Sequence, residues 1–251
     1  MPKNKEIRLI DEEGRRVDGR RLDELRPFRI EAGVLKNADG SAYIELGNNK
    51  IIVAVYGPRE AHPKHIALPN KAMLRCRYSM ATFSVEERKS PSPSRREVEL
   101  SKVIREALEP AIFLEEYPRT VIDVFIQVLE ADGGTRTASI TAASVALADA
   151  GVPMRDLVAA IAVGKIEGKL ALDLNGIEDQ YGEGDMPIAI MPGYNLVTLL
   201  QADGIFTVEE IEEALSMAST AIKKLYAAQR EALKKKYIKI REEVLGYEQS
   251  A

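Results

Sequence analysis

Tryptophan is absent from this 251-residue chain, cysteine occurs once and histidine twice. A lone cysteine closes no internal disulfide, and two histidines without a cysteine pair are too few for a Cys/His zinc centre. Cys76 sits in the alternating run MLRCRYSM and reads as core filling rather than a reactive thiol. No apolar run approaches the roughly 18–20 residues that span a bilayer. The N-terminus, MPKNKEIRLIDEEGRR, has no apolar core of a secretory signal. A cytoplasmic protein without a membrane partner is therefore expected. An excess of basic charge is also missing. The net charge of −4 argues against uniform coating of nucleic acid, but net charge averages over faces. Arg75, Arg77, Arg88, Lys89, Arg95 and Arg96 crowd one stretch, whereas Glu209, Glu210, Glu212 and Glu213 open the last helix. A local basic track on an acidic body remains open.

The chain carries ample material for an α/β (α+β) domain. FRIEAGVL (28–35), SAYIEL (41–46) and KIIVAVY (50–56) read as strands, the last two a hairpin around Gly47-Asn48-Asn49. MLRCRYSM (73–80) alternates as a half-buried strand does. A Ser/Pro-rich piece, KSPSPS, follows as a mobile linker or a recognition motif. Ser94-Arg-Arg-Glu97 is then a capping box, with Leu100, Val103, Ile104, Ala107 and Leu108 at helical spacing behind it. That start places Arg95 and Arg96 in the first helical turn, against the helix dipole, and hints at an anion nearby. A second cycle repeats the order: a strand at 121–129, a helix at 136–150 ended by Gly151 and Pro153, and a hairpin over Glu167-Gly168. MPIAIMP and NLVTLLQ add strands, and Thr207-Val-Glu-Glu210 caps a helix running to about residue 240. We therefore expect one domain over 1–251 made of two similar halves, 16–150 and 151–245. The first 15–20 residues and the last several are expected to be tails or edge arms.

Three stretches carry candidate chemistry. At ADGGTR, 131–136, glycines clear the end of a strand, Thr135 is placed to cap the helix and Arg136 adds a fork of donors. Spacing leaves two readings open: a tight turn, or an anion site on the helix start. A Walker-type G-x-x-x-x-G-K-[ST] loop is missing, and Gly182-Glu-Gly184-Asp-Met-Pro187 breaks the dinucleotide pattern at its last position. In GIEDQYGEGDMP, 176–187, Asp179, Glu183 and Asp185 form an acidic loop. Taken alone, it is either a solvated loop or a place for Mg²⁺ and proton transfer. REAHPKHIALP holds His62, Lys64 and His65 in a basic surface loop suited to RNA or a partner.

Together, VLEADGGTRTASITAASVALADAG, VDGRRLDELRP (17–27) and the Asp179/Asp185 loop resemble the RNase PH family of phosphorolytic exoribonucleases. GVLKNADGSAYIELGNNKIIVAVYGPRE, PSPSRREVELSKVIREALE and EDQYGEGDMPIAIMP are similar to the catalytic subunits of archaeal exosomes within it. The resemblance covers roughly residues 15–245. It implies an RNase PH fold: two β-sheet-plus-helix halves related by a pseudo-twofold, ending in a long helix. It implies 3′→5′ phosphorolysis of single-stranded RNA, reversible to tailing, with inorganic phosphate as co-substrate. It further implies a six-membered ring in which three copies alternate with a related inactive subunit, under a cap of RNA-binding proteins. By the same resemblance, Gly134, Thr135, Arg136 and Arg96 hold the attacking phosphate, and Arg95 and Arg96 grip the RNA backbone. Asp179 is the general acid, and Asp185 is the supporting carboxylate, the two sharing Mg²⁺. The His62-Pro63-Lys64-His65 loop lines a constriction for RNA. Two alternatives stand beside it, a homohexameric RNase PH that trims RNA ends and a non-catalytic RNA-binding ring subunit.

Overall fold

The strands pair into two sheets. In the first sheet, β1 (Phe28–Ala32), β2 (Gly40–Leu46), β3 (Asn49–Glu60), β4 (Met73–Met80) and β5 (Thr120–Glu130) lie in the order β1-β2-β3-β5-β4. β3 is buried at every second residue over most of its length, as a strand with one covered face must be. β4 runs parallel to β5, and α1 (Arg95–Leu108) makes the crossover between them. The second sheet has β10 (Asp203–Gly204), β8 (Gly184–Met191), β6 (Ala159–Ile166) and β7 (Lys169–Leu172) in that order, with β9 (Leu196–Leu200) also pairing with β8. The computed structural model describes residues 8–250, without the side chains of 243–250. Among the described residues, no helix is long and apolar enough to cross a membrane.

Between the sheets lies α2 (Thr135–Asp149), touching β2 and β3 on one side and β6 and β8 on the other. Every residue from Thr137 to Leu147 is buried. A helix covered all round cannot be amphipathic, and this one is built of Ala, Ser and Thr because both sheets come close. Gly40 shows how close: a Cβ there would overlap the backbone of Ala146 and Ala150. The apolar core is continuous, joining Ile44, Val53 and Ile126 of the first sheet to Ile161 and Ile188 of the second. α4 (Val208–Ser250) closes the molecule over β6 and β1. The buried Gln229 amide of α4 donates to Thr141 O and Val158 O, both at 2.9 Å.

Several expectations are corrected. The stretch expected as an acidic loop is helix α3 (Gly176–Tyr181) followed by β8, because Asn175 and Glu178 form a capping box of their own. Thr135 does not cap α2. Gly134 holds the N-cap position in a left-handed conformation, and Thr135 is the first helical residue. The final helix continues well past residue 240. The described part of the expected N-terminal tail is docked: Leu9, Ile10 and Arg16 are buried, while residues 1–7 lie outside the described residues. Cys76 is partly buried, and burial pushes its thiol far up, away from reactivity.

Gly40→Ala is expected to lower stability by about 1–3 kcal/mol, the cost of forcing a methyl into a filled core. Chemical denaturation should move the midpoint with an unchanged slope. An unchanged midpoint would contradict the close packing of α2 on β2.

Candidate active site

β5 delivers the chain to the 131–136 corner, and hydrogen bonds fix where it turns. Ala131 N donates to Ser84 O at 2.9 Å, and Asp132 N to Asn49 Oδ1 at 2.7 Å. Gly133 and Gly134 then take φ of 68° and 69°, a conformation that side-chain-bearing residues rarely adopt. A Cβ at Gly133 would press on the Asn175–Gly176 backbone, so the corner abuts the start of α3. Asp132 Oδ1 reinforces this contact by accepting from Gly176 N at 2.8 Å. No side chain caps α2, and no acidic residue stands in its first turn. Its leading amides and dipole are thus left for an exogenous anion.

The charged groups around the corner come from three other elements. At the start of α1, Ser94 and Glu97 form the expected capping box, and Glu97 also accepts from Met80 N at 2.8 Å. Burial works against the Glu97 carboxylate, but the amides of Ser94 and Met80 outweigh it and hold its pKa below the usual range. Arg96 is thereby anchored to the end of β4. α3 supplies Asp179, and β8 supplies Asp185. A cavity of about 360 Å³ is lined by Gly133, Gly134, Thr135, Lys89, Arg96 and Arg136. It meets a second, of about 680 Å³, reaching Asp203 and Gln201. Arg96, Arg136, Asp179 and Asp185 line both.

Carboxylates are held together in this cleft at some cost. Burial, then the nearby Asp179 and Asp203, push Asp185 up to about 6, while Arg136 and Arg96 pull it down. Arg136 Nη1 donates to Gln201 Oε1 at 2.6 Å, but its buried Nε has no partner. A guanidinium lining both cavities beside uncapped amides is chemically suited to an oxyanion. Two carboxylates on one cleft wall are suited to a divalent cation, since Mg²⁺ commonly takes one or two carboxylates and fills its shell with water and phosphate. Among the described residues, no cluster of three or more His, Cys, Asp or Glu could hold a metal by itself.

The fold thus brings together Gly134, Thr135, Arg136, Arg96, Asp179 and Asp185, from four elements. Arg95 is exposed on the α1 start and lines neither cavity. His62, Lys64 and His65 are elsewhere. Their exposed loop follows Glu60, which pairs with Thr120 at the far end of β5 from the corner. Ten residues of extended chain separate the two ends, roughly 33 Å at about 3.3 Å per residue. Lys64 there pairs with Glu60 at 3.1 Å. Sequence reasoning passes over Lys89, Gln201 and Asp203 as cleft residues. It also passes over the buttress made by residues 16–26. Arg16 pairs with the fully buried Glu178, and Arg26 pairs with Asp173 at 2.6 Å. Arg26 also donates to the carbonyls of Asp132 and Gly133. The Asn175–Glu178 box is a usable signal for α3, whereas the arginine pairings cross about 150 residues and leave no local mark. Of the aromatics near the basic stretch, Tyr78 is buried and Phe83 is exposed.

Comparison with known proteins places this architecture. The family described as 3′ exoribonuclease family, domain 1, RNase PH, matches residues 24–153, and its domain 2 matches residues 156–221. The chain belongs to the RNase PH 3′ exoribonuclease family. It is 65% identical over 248 residues to the protein named exosome complex component Rrp41 of Thermococcus onnurineus, covering 99% of this chain and 100% of that one. The protein of the same name from Nitrosopumilus maritimus is 58% identical, over 91% of this chain and 94% of its own. Among solved structures, rice Rrp46 superposes with a TM-score of 0.76 at 26% identity, covering 86% of this chain and 98% of that one. A chain of the Archaeoglobus fulgidus exosome with RNA bound to the active site superposes at 0.75 and 24% identity, over 85% and 92%, and shows the shared fold.

The raised Asp185 has a consequence for stability. Its folded value of about 6 lies above the ordinary 3.8 of an aspartate, so the folded state binds the extra proton between those limits. Stability from this group is full below the lower value and is lost as pH rises through the upper one. Asp185→Asn should therefore match the parent near pH 3.5 and exceed it above pH 6, by about 3 kcal/mol. Melting curves across that range test this, and a pH-independent difference would refute it.

Proposed function

We propose that this chain is the catalytic subunit of an exosome of the archaeal type, degrading single-stranded RNA from its 3′ end by phosphorolysis. The observation that carries this reading is the single cleft in which an uncapped helix start meets two arginines and two aspartates. Inorganic phosphate, held by the Gly134-Thr135-Arg136 corner and Arg96, attacks the terminal phosphorus. The bond from that phosphorus to the 3′ oxygen of the preceding nucleotide breaks, and a nucleoside diphosphate departs. Asp179, on the open side of the cleft, protonates the leaving oxygen. Since one phosphate linkage replaces another, the reverse reaction extends RNA when diphosphates abound.

The chain's residues meet the main electrostatic demand of such a step, the approach of two anions. Arg96 and Arg136 face both, and the uncapped amides of α2 add donors that need no rearrangement. Asp179 and Asp185 would hold Mg²⁺, which when bound supplies further neutralisation of the phosphate charge. Arg95, exposed beside Arg96, is placed to meet the backbone of the incoming strand. The His62-Lys64-His65 loop would touch RNA upstream, far from the chemistry, reading backbone rather than base identity.

The proposed assembly is a six-membered ring in the cytoplasm, this chain alternating with a related inactive subunit beneath RNA-binding cap proteins. Its support is the exosome naming of the relatives and the exposed apolar edge of the second sheet. Leu196, Val197, Leu200 and Ile205 are each about half exposed or more, an apolar band that a neighbouring subunit would cover.

The test is incubation of the assembled complex with a 3′-hydroxyl single-stranded RNA, with and without phosphate. Phosphate-dependent release of nucleoside diphosphates is expected. Release of monophosphates by water would sink the reading, and active hexamers of this chain alone would remove the exosome assignment. Asp179→Asn is expected to abolish turnover with RNA affinity kept. Arg95→Ala with Arg96→Ala should weaken RNA binding and flatten its dependence on salt, by about 0.7 in the log–log slope for each RNA phosphate the arginines no longer neutralise. An unchanged slope would take both arginines out of the RNA path.

A further inference from the structure

We propose that Tyr78 is a positioning residue for the anion corner: its phenol donates to the Thr135 hydroxyl and thereby turns the Thr135 proton toward the phosphate. This rests on the reading of that corner as the phosphate site.

Tyr78 lies on β4 and is 2% exposed, and its hydroxyl oxygen is 2.9 Å from Thr135 Oγ1. Distance alone permits either oxygen to donate. The surroundings of the two hydroxyls differ, and that decides the direction. The phenol is buried and makes no other hydrogen bond among the described residues, so its proton has Thr135 as its only acceptor there. Thr135 lines the smaller cavity and has open space on its other side.

Were Thr135 the donor, the phenol proton would be stranded in the core, an arrangement folded proteins avoid. Thr135 would then present only lone pairs to an incoming anion, which repel it. With Tyr78 as donor, both groups are satisfied and the threonine proton faces the cavity. The result is a directed chain from phenol to threonine to phosphate oxygen, each bond polarising the next. Burial also raises the phenol pKa, so it stays protonated and able to donate at neutral pH.

The phenol is itself held firmly. Tyr78 N donates to Ser101 Oγ at 2.9 Å, and the Ser101 hydroxyl donates to Glu97 O at 2.6 Å. Glu97 is the residue whose carboxylate ties the start of α1 to Met80. The phenol behind the corner and Arg96 in front of it therefore ride on one bonded unit of β4 and α1.

The experiment measures two quantities on the assembled complex: the KM for phosphate during RNA degradation, and the Kd of inorganic phosphate by calorimetry. Tyr78→Phe keeps the ring and removes only the hydroxyl. It is expected to raise both quantities roughly fivefold, the worth of about one hydrogen bond. RNA affinity and kcat should stay within about twofold on the same argument. Thr135→Val should raise both as well, and adding Tyr78→Phe to it should change nothing further. Thr135→Ser, which keeps a hydroxyl, should bind phosphate as the parent does and remain sensitive to Tyr78→Phe. A merely structural tyrosine would lower the melting temperature without a selective effect on phosphate. That outcome, or an undiminished effect of Tyr78→Phe in the Thr135→Val background, overturns the proposal. The two readings separate cleanly. Diphosphate release with a phosphate KM indifferent to Tyr78→Phe defeats this inference alone. Tyr78-dependent phosphate binding with hydrolytic release of monophosphates defeats phosphorolysis alone. Absence of phosphate binding in the parent complex overturns both.

Discussion

Two carboxylates with almost no access to water, Asp173 and Glu178, set the terms for the whole cleft. An ionised carboxylate in a protein interior is tolerable only with a charged partner and satisfied lone pairs. Both partners come from the N-terminal segment. Arg16 forks onto Glu178, and Arg26 onto Asp173, while Arg20 reaches the Asp173 carbonyl at 3.1 Å. The remaining guanidinium donors go to backbone carbonyls on both sides of the cleft. Those of Arg16 reach Leu172 and Asp173, and those of Arg26 reach Asp132 and Gly133. Glu178 meanwhile caps α3, the helix that presents Asp179. One ionic cluster therefore sets the distance between the anion corner and the acidic side of the cleft. It pairs groups about 150 positions apart in the chain.

That constraint explains which features are legible in the sequence and which are not. β3 and β5 are legible because one face is buried and alternation records it. The capping box at Ser94 is legible because its two residues stand three apart. The anion corner is legible as a glycine-cleared strand end, and its two open readings narrow once Arg96 and Asp179 are found lining the same cavity. α3 reads as a loop because its six residues are too few for an apolar period, with a glycine opening it and another at its C-cap. The segment up to about residue 20 reads as a tail because its apolar residues are sparse. Its burial depends on carboxylates some 150 positions away, and no window of sequence contains both members of such a pair. Residue type suggests a capping role for Thr135. The left-handed Gly134 takes that position instead, which frees the threonine hydroxyl for Tyr78 and the cavity.

The cleft is electrostatically mixed for a physical reason. A surface that only attracted anions would bind polyphosphate indiscriminately and release it slowly. Here the arginines that favour phosphate stand beside aspartates, and burial with the neighbouring Asp179 and Asp203 raises Asp185 against the pull of Arg136 and Arg96.

The crowding of α2 between two sheets bears on repetition. A helix whose residues 137–147 are buried, and which leaves no room for a methyl at Gly40, cannot shift without moving both sheets. The amides and dipole at its start are consequently oriented by the fold itself, before any ligand arrives. For an enzyme that performs one reaction on one substrate, such preorganisation lowers a single barrier. On a polymer shortened one unit at a time, the benefit recurs at every nucleotide. The work of arranging the anion corner is done once, in folding, and thereafter only the strand has to move.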